Sequence, residues 1–386
     1  MASSLEDLKR DYWMVRKLGS GGFGTVYLLR QRTTKQLFAA KEQSGTDARG
    51  KQNIEKEVSI LKKLINADKR FVVQFITWFE GRNLSVILTE FLEGDELFRR
   101  ISSAKYTLTH TKCRTFARQI LVAIDFIHSQ GIVHLDLKPE NIVLQKNIER
   151  KPSSMSRKLE SNQSSLCSAL ATNCSNIANI AAESSIAHEQ LKIIDFGLAK
   201  ELSGKTRIGI NLCGTIEYIS PEVMRCSHAS YASDLWSTGV IFYMMVTGGL
   251  SPFWDGNERR TQRLILRGHF ANKGFSNKLF DDVPKSAIDC IARLLEVNPE
   301  SRYTISECLN HKWLTTDYVD AVQNVETIGL RKYIARRRWQ KVFIAIKAMN
   351  RMVKLVVFRS FAKALNGVKE MSFIEQEPSQ LTEVGI

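Results

Sequence analysis

The sequence predicts an α+β protein with a strand-rich first part and a helix-rich remainder. Three observations carry this. Residues with strong strand preference gather at Tyr12–Leu18, Gly24–Leu29, Gln36–Lys41 and Leu84–Thr89, around a glycine cluster. Between them, apolar residues at positions 54, 58, 61 and 64 recur with helical spacing, which predicts a helix over Ile54–Leu64. From about Glu96 onward, long periodic stretches with few breakers, Thr111–His128 and Leu235–Val246, replace the strand pattern.

Composition agrees. The chain has 386 residues, 44% hydrophobic and 25% charged, enough for a substantial core and two or three structural units. This excludes a fibrous or largely disordered chain. No apolar run reaches the roughly 18 residues a membrane-spanning helix needs. The opening residues MASSLEDLKR lack an apolar signal segment, so a cytoplasmic protein is expected. Seven scattered cysteines without CxxC pairs suit reduced thiols rather than a disulfide framework or a zinc site.

The net charge of +15 is unevenly placed. Positions 327 to 369 hold no Asp or Glu and twelve Lys or Arg, so everything else sums to +3. Basicity is a property of the tail, and a tail of this kind seeks an acidic partner. A second compositional break covers about 146–189, rich in Ser and Asn with weak periodicity. It reads as a disordered or mobile insertion, with a short Ala-rich helix around Ser175–Ile186 as the alternative.

The chemistry-bearing residues begin at Leu18-Gly19-Ser20-Gly21-Gly22-Phe23-Gly24-Thr25-Val26, a G-x-G-x-x-G-x-V pattern. Glycines let a backbone turn tightly and approach phosphates closely. A dinucleotide-binding turn would need a helix next, but Thr25-Val26-Tyr27-Leu28-Leu29 is strand-forming, which favours a strand–loop–strand cover over phosphates. Ala39-Ala40-Lys41 then ends a strand, and Glu57 lies on the following helix. His134-Leu135-Asp136-Leu137-Lys138-Pro139-Glu140-Asn141 follows the long helix. Asp195-Phe196-Gly197, Ser220-Pro221-Glu222, Asp234-Leu235-Trp236 and Arg302 come in that order.

These motifs together resemble the eukaryotic protein-kinase catalytic domain, from about Tyr12 to Leu314. The resemblance implies a two-lobed fold, with a small lobe to about residue 90 and a large lobe from about 96, and ATP and Mg²⁺ as cofactors. It implies that Lys41 holds the α/β-phosphates and that Glu57 holds Lys41. It makes Asp195 and Asn141 the metal ligands and Asp136 the group that accepts or orients the proton of the attacking hydroxyl. Lys138 is expected near the transferred phosphoryl group, and Thr215 links the activation segment to Asp136 and Lys138. Val26, Ala39 and Val143 would sandwich adenine. Glu90 and Leu92 would bind it through their backbones, beside the gatekeeper Thr89. Glu222 and Arg302 are expected as a buried structural ion pair outside the site. With this set intact, a pseudokinase is not expected.

Three departures refine the resemblance. Leu135 stands where many kinases carry an Arg that pairs with an activation-segment phosphate, so that switch should be absent. The same loop occurs in myosin light chain kinases and death-associated protein kinases. Asn141 and Asp195 are 54 positions apart, so the insertion should leave from the hairpin that joins them. Ile216 replaces the proline often found after the activation-segment threonine, while Glu217 is retained.

The tail completes the pattern. Residues 330–352 contain no Gly or Pro. At about 100° per residue, Trp339, Phe343 and Ile346 share one helix face and Met352 lies off it. Arg336, Arg337 and Arg338 precede Trp339. Large anchors flanked by basic residues suit a partner with Met-rich apolar pockets and acidic rims, and the segment resembles the calmodulin-binding region of myosin light chain kinases. An anionic membrane, nucleic acid or the kinase body itself are the competing partners. Residues 1–11 read as an extension, 315–360 as an autoinhibitory and calmodulin-binding segment, and 361–386 as a tail. The tail would lie in the peptide groove, against the acidic positions Glu96, Glu140 and Glu217, until calcium-loaded calmodulin removes it. The resemblance implies a monomeric kinase for Ser or Thr near basic residues, with myosin regulatory light chain as substrate and actomyosin as its location. The alternatives are a death-associated-like kinase and a non-enzymatic calmodulin-binding scaffold.

Overall fold

The computed structural model describes residues 3–21, 24–44, 48–68, 70–146, 189–210, 214–226, 228–271, 273–315 and 324–340. The expected insertion, the Ala-rich helix within it, and Phe343, Ile346 and Met352 lie outside these residues. The chain divides into a unit of residues 1–333 and a second of 334–386.

The small lobe is a six-stranded sheet in the order β1-β5-β6-β4-β3-β2. Its strands are β1 (Ser3–Ser4), β2 (Tyr12–Gly21), β3 (Gly24–Gln31), β4 (Leu37–Ser44), β5 (Phe75–Glu80) and β6 (Leu84–Glu90). Alternation puts Leu29, Phe38, Ala40, Phe79, Val86 and Leu88 on one face, where they form a buried cluster. Helix α2 spans Ala48–Ala67, longer than the apolar spacing alone suggests. The four anchors Ile54, Val58, Leu61 and Leu64 are all buried.

The first eleven residues are more than an extension. Helix α1 (Leu5–Asp11) opens with a capping box, in which the Asp7 amide donates to Ser4 Oγ at 3.1 Å and the Ser4 amide donates to Asp7 Oδ2 at 3.0 Å. Leu5 and Leu8 pack on the sheet cluster. Strand β1 runs parallel to β5, pairing Ser3 with Phe79. A side chain at Gly81 would lie 2.3 Å from Leu5 Cδ1, so the turn after β5 is shaped to receive this helix.

The large lobe is built round α6 (Tyr231–Val246), with every side chain from Ser233 to Val246 buried. A helix apolar on all sides belongs at the centre of a lobe. Helix α4 (His110–Ser129) packs beside it, with α3 (Leu97–Ile101) before and α5 (Pro221–Cys226) between in chain order. Two-residue β7 (Asp95–Glu96) pairs with β9 (Ile142–Lys146), and β9 pairs with β10 (Glu189–Ile193), joining Lys146 to Glu189. The hairpin expected to carry the insertion therefore closes at the two residues that flank it. Two-residue β8 (Ile132–Val133) pairs with β11 (Lys200–Glu201), and β12 (Ile208–Gly209) with β13 (His228–Ala229). The segment after Gly197 is thus tied to the lobe by backbone pairing.

Residues 324–333 lie on the large lobe. The Val325 amide donates to Leu108 O at 2.8 Å, and Arg331 Nε donates to Ser102 O at 3.0 Å. Leu330 and Tyr333 are buried, the latter edge-on to Phe98. The seat requires Gly248 and Gly249. A Cβ at the first would lie 1.7 Å from Glu326 O, and at the second 2.2 Å from Leu330 N.

Candidate active site

Strand register assembles the nucleotide side of the site. Val26 pairs with Lys41, Ala39 with Thr89, and Glu96 with Val143. The three sequence-distant positions expected to sandwich adenine are thereby set beside Lys41, Thr89 and Glu96 respectively. Val143 is buried, while Leu18, Val26, Ala39, Thr89, Glu90 and Leu92 are half-buried and so line a surface a ligand can reach. Gly19 pairs with Val26 and Gly21 with Gly24, closing the glycine loop. At φ 121°, Gly24 occupies backbone space that other residues rarely adopt, and a Cβ there would sit 1.9 Å from Glu42 O.

Lys41 lies between two carboxylates. Its Nζ donates to Glu57 Oε1 and to Asp195 Oδ1, each at 2.7 Å. Burial would lower the Lys41 pKa, but the charges of Glu57 and Asp195 outweigh it and raise the pKa. Burial would likewise raise that of Asp195, and the Lys41 ammonium wins and lowers it. Lys41 and Asp195 are therefore held in their charged forms. A Cβ at Gly197 would be 3.0 Å from Lys41 Nζ and 3.3 Å from Asp195 Oδ1, so this glycine leaves the room they occupy.

The catalytic loop is held from below. Asp234, on the first turn of α6, accepts the His134 amide at 2.8 Å, the Leu135 amide at 2.9 Å and His128 Nε2 at 2.8 Å. Leu135 adopts φ 65°, an unfavourable region for a branched side chain, and the Asp234 bond to its amide holds it there. Asp136 follows at once. Its Oδ2 accepts from Lys138 Nζ and, at 3.1 Å, from Asn141 Nδ2, which also donates to Asp136 O at 2.9 Å. The Asn141 amide nitrogen thus faces Asp136, and its oxygen remains for a cation. Asp195 adds carboxylate oxygens, and an all-oxygen set suits a hard divalent ion such as Mg²⁺. Phe196 is buried and edge-on to His134, whose Nε2 lies 3.2 Å from Ile194 O.

On the peptide side, a Cβ at Gly214 would lie 3.6 Å from Asp136 Oδ1, which brings the start of the Thr215 turn to the catalytic carboxylate. Thr215 is half-buried, Glu217 buried, Glu96 exposed and Glu140 half-buried. The Tyr333 hydroxyl lies 3.4 Å from Glu140 Oε1 and 2.8 Å from the Tyr218 hydroxyl. Glu222 and Arg302 form the expected ion pair, Nη2 to Oε2 at 3.0 Å, with Arg302 buried and Glu222 half-buried. Arg336, Arg337, Arg338 and Trp339 fall on helical residues 328–340, where Arg337 Nη1 donates to Gln340 Oε1 at 3.1 Å.

Three site contacts went unread in the sequence. Gln43 Nε2 donates to Glu57 Oε2 at 2.7 Å. Its signal was available, because residues two apart on a strand share a face, and Gln43 is two beyond Lys41. Lys192 pairs with the Glu90 carboxylate, which also accepts the Gln74 amide at 2.8 Å. His128 joins Asp234 from the end of α4, with no local pattern that marks it.

Residues 12–314 match the family model described as protein kinase domain. The chain is 33% identical over 347 residues to smooth muscle myosin light chain kinase of Gallus gallus, covering 90% of this chain and 16% of that protein. It is 30% identical to myosin light chain kinase 3 of Homo sapiens, covering 87% of this chain and 36% of that protein. The chain thus spans well under half the length of these two relatives. Among solved structures, the Caenorhabditis elegans twitchin kinase region superposes with a TM-score of 0.68 at 26% identity, over 88% of this chain and 51% of that one. The autoinhibited serine kinase domain of titin gives 0.64 at 26% identity, over 85% and 87%. The chain belongs to the protein kinase family, and its catalytic domain is similar to those of myosin light chain kinases.

Proposed function

We propose that this chain phosphorylates Ser or Thr near basic residues, with myosin regulatory light chain as leading substrate, and that calcium-loaded calmodulin relieves an inhibition exerted by its own tail. The observation that carries this reading is the position of Tyr333, seated on Glu140 at the mouth of an otherwise assembled catalytic site. Glu140 is one of the acids expected to receive a substrate's basic side chain.

The residues support in-line phosphoryl transfer. Asp136 orients the acceptor hydroxyl and takes its proton as the oxygen attacks the γ-phosphorus, while the bond to the departing ADP oxygen breaks. Lys138 sits beside Asp136 and offers positive charge to the transferred group. Lys41 neutralises the α/β-phosphates and is itself oriented by Glu57. Asp195 and Asn141 would hold Mg²⁺, which supplies charge neutralisation across the β- and γ-phosphates when bound. Glu217 and Glu140 place negative charge where a basic peptide lies.

Calmodulin gating draws on Arg336 to Trp339, on a helix with an exposed Trp339, followed by the apolar residues Phe343 and Ile346 at helical spacing. The light-chain substrate is suggested by the names of the myosin light chain kinase relatives, and localisation at actomyosin and a monomeric state belong to the same proposal. The test is phosphate transfer to purified regulatory light chain with Mg-ATP and calmodulin, in calcium and in chelator. Transfer only in calcium is expected. Equal transfer in both overturns the gating, and transfer to a generic basic peptide alone moves the substrate to that of a death-associated-like kinase.

A further inference from the structure

Glu57 has two carboxylate oxygens, and the reaction as described uses one. Oε1 takes the Lys41 ammonium. Oε2 takes the side-chain amide of Gln43, at an equal 2.7 Å. Lys41 and Gln43 are alternate residues of one strand, so they meet Glu57 from the same face. Gln43 has a second neighbour. A Cβ built on Gly24 would lie 3.4 Å from Gln43 Cγ, so the stem of this side chain runs directly beneath the end of the glycine loop. One residue therefore touches the phosphate-covering loop with its methylenes and the α2 carboxylate with its amide.

We propose that Gln43 is a positioning residue for phosphoryl transfer: it clamps the second oxygen of Glu57 and ties helix α2 to the glycine loop, keeping Lys41 aimed at the nucleotide.

A carboxylate held by one donor can swing about that contact, whereas two donors on its two oxygens fix its plane. Lys41 alone is an unreliable holder, because it is shared with Asp195 and must turn toward phosphates when nucleotide arrives. Gln43 is neutral, makes no demand on the phosphates, and can keep Glu57 inward while Lys41 is engaged elsewhere. Two other ion pairs of α2, Lys63 with Glu201 on the activation segment and Lys51 with Glu80 on β5, are solvent-exposed at both ends and thus weak. With Leu135 in place of a phosphate-binding Arg, the activation segment gains no such charge pair through this residue. The half-buried Gln43 amide then carries a larger share of holding α2 in place.

The proposal rests on the kinase activity alone and is independent of calmodulin gating. Its test is a double-mutant cycle with the full chain, assayed with calcium and calmodulin present throughout, on a generic basic peptide. Gln43→Met keeps length and stem but removes the donor. It is expected to lower kcat about ten-fold, equivalent to roughly 1.4 kcal/mol in the barrier, with peptide KM and melting temperature unchanged. In a Glu57→Ala background the same change should cost less than about two-fold, since the partner is already gone. An equal loss in both backgrounds, or no loss in the wild type, overturns the proposal. Gln43→Ala serves in place of a Gln43→Met protein that does not fold. Amide hydrogen exchange across residues 48–67 is a second readout that needs no turnover. Faster exchange in Gln43→Met supports the clamp, and unchanged protection overturns it. A wild-type chain without transfer would count against the kinase reading and leave the exchange result standing on its own.

Discussion

The hydroxyls of Tyr218 and Tyr333 are 2.8 Å apart, although 115 positions separate them in the chain. Tyr218 belongs to the turn that follows Thr215, on the peptide side of the catalytic site, and Tyr333 closes the segment that rests on Gly248 and Gly249. Both side chains are buried, and Tyr333 also reaches Glu140. Burial, with the nearby Tyr333 and Glu140, pushes the Tyr218 pKa well up, so this is a contact between neutral phenols. Replacing Tyr333 by Phe keeps the edge contact with Phe98 and deletes the hydroxyl that bridges Tyr218 and Glu140. A neutral buried hydrogen bond contributes about 1 kcal/mol net, which corresponds to a several-fold larger released population. Tyr333→Phe should therefore raise peptide phosphorylation in chelator several-fold while leaving the rate in calcium and calmodulin unaltered. An unchanged basal rate would remove Tyr333 from the inhibitory contact.

Activity should not depend on phosphate in the activation segment. Leu135 has no group that could bind one, and Asp234 fixes its backbone at φ 65° without help from the segment. The segment is instead ordered by the backbone pairs of Lys200 with Val133 and of Ile208 with Ala229, which no phosphatase affects. Phosphatase-treated enzyme, shown by mass spectrometry to carry no modification at Ser203 or Thr206, should retain its rate within about two-fold, the change a few tenths of a kcal/mol would give. A loss of ten-fold or more would mean that another cation replaces the missing Arg.

The groups proposed as catalytic stood out because each belongs to a short motif whose residue type the proposed chemistry dictates: Lys41 for phosphates, Asp195 and Asn141 for a cation, Asp136 for a proton. Helix α6 was legible in part, since its apolar run shows from Leu235 and Asp234 heads the motif Asp234-Leu235-Trp236, but the role of Asp234 shows only once its backbone partners are in place. What stayed hidden depends on contacts between distant elements. Gln43 finds Glu57 only after α2 docks on β4, and Lys192 finds Glu90 only after β10 reaches the hinge. Residues 1–11 were undervalued for a similar reason. Leu5 and Leu8 are two apolar residues in a short polar stretch, a weak periodic signal, and their value comes from the sheet cluster that receives them and the Gly81 turn that makes room. Glu140 was expected to meet a basic tail residue, and Tyr333 at that position could not be anticipated from charge.

Acid should unfold the protein through a small set of buried or half-buried carboxylates. Glu222 would be raised by burial, but its bonds to Arg302 lower it, and Asp234 is lowered against burial by His128 and the His134 backbone. Asp195 is lowered as well. Each binds fewer protons folded than unfolded near its titration, so its contribution is whole above the unfolded value of about 4 and is lost as pH falls through the folded value. The melting temperature should stay level, as far as these groups decide it, from pH 8 to about 5 and drop steeply below about 4. Glu222→Gln should lower the plateau, because it leaves the Arg302 guanidinium buried without its counter-charge, a cost of about 3–5 kcal/mol. It should also make the acid limb shallower. An acid limb of unchanged steepness would show that Glu222 does not titrate on unfolding.

Tyr243 offers the opposite case, a polar group whose removal should help. It lies within α6 among Phe270, Phe275 and Phe280, with ring centroids at 6.0, 5.4 and 4.9 Å. Its hydroxyl is buried and has no hydrogen-bond partner among the described residues, and burial pushes its pKa up. An unpaired buried hydroxyl costs about 1–3 kcal/mol relative to one left in water. Phenylalanine retains the three ring contacts and loses only the oxygen, so the transfer cost disappears with little change in shape. Tyr243→Phe should raise the melting temperature by a few degrees, in line with roughly 1 kcal/mol for a domain of this size, and leave kcat and KM as they are because no catalytic group touches this cluster. A lower melting temperature would mean that the hydroxyl is hydrogen-bonded in solution and that its partner, rather than the aromatic cluster, sets the choice of tyrosine at this position.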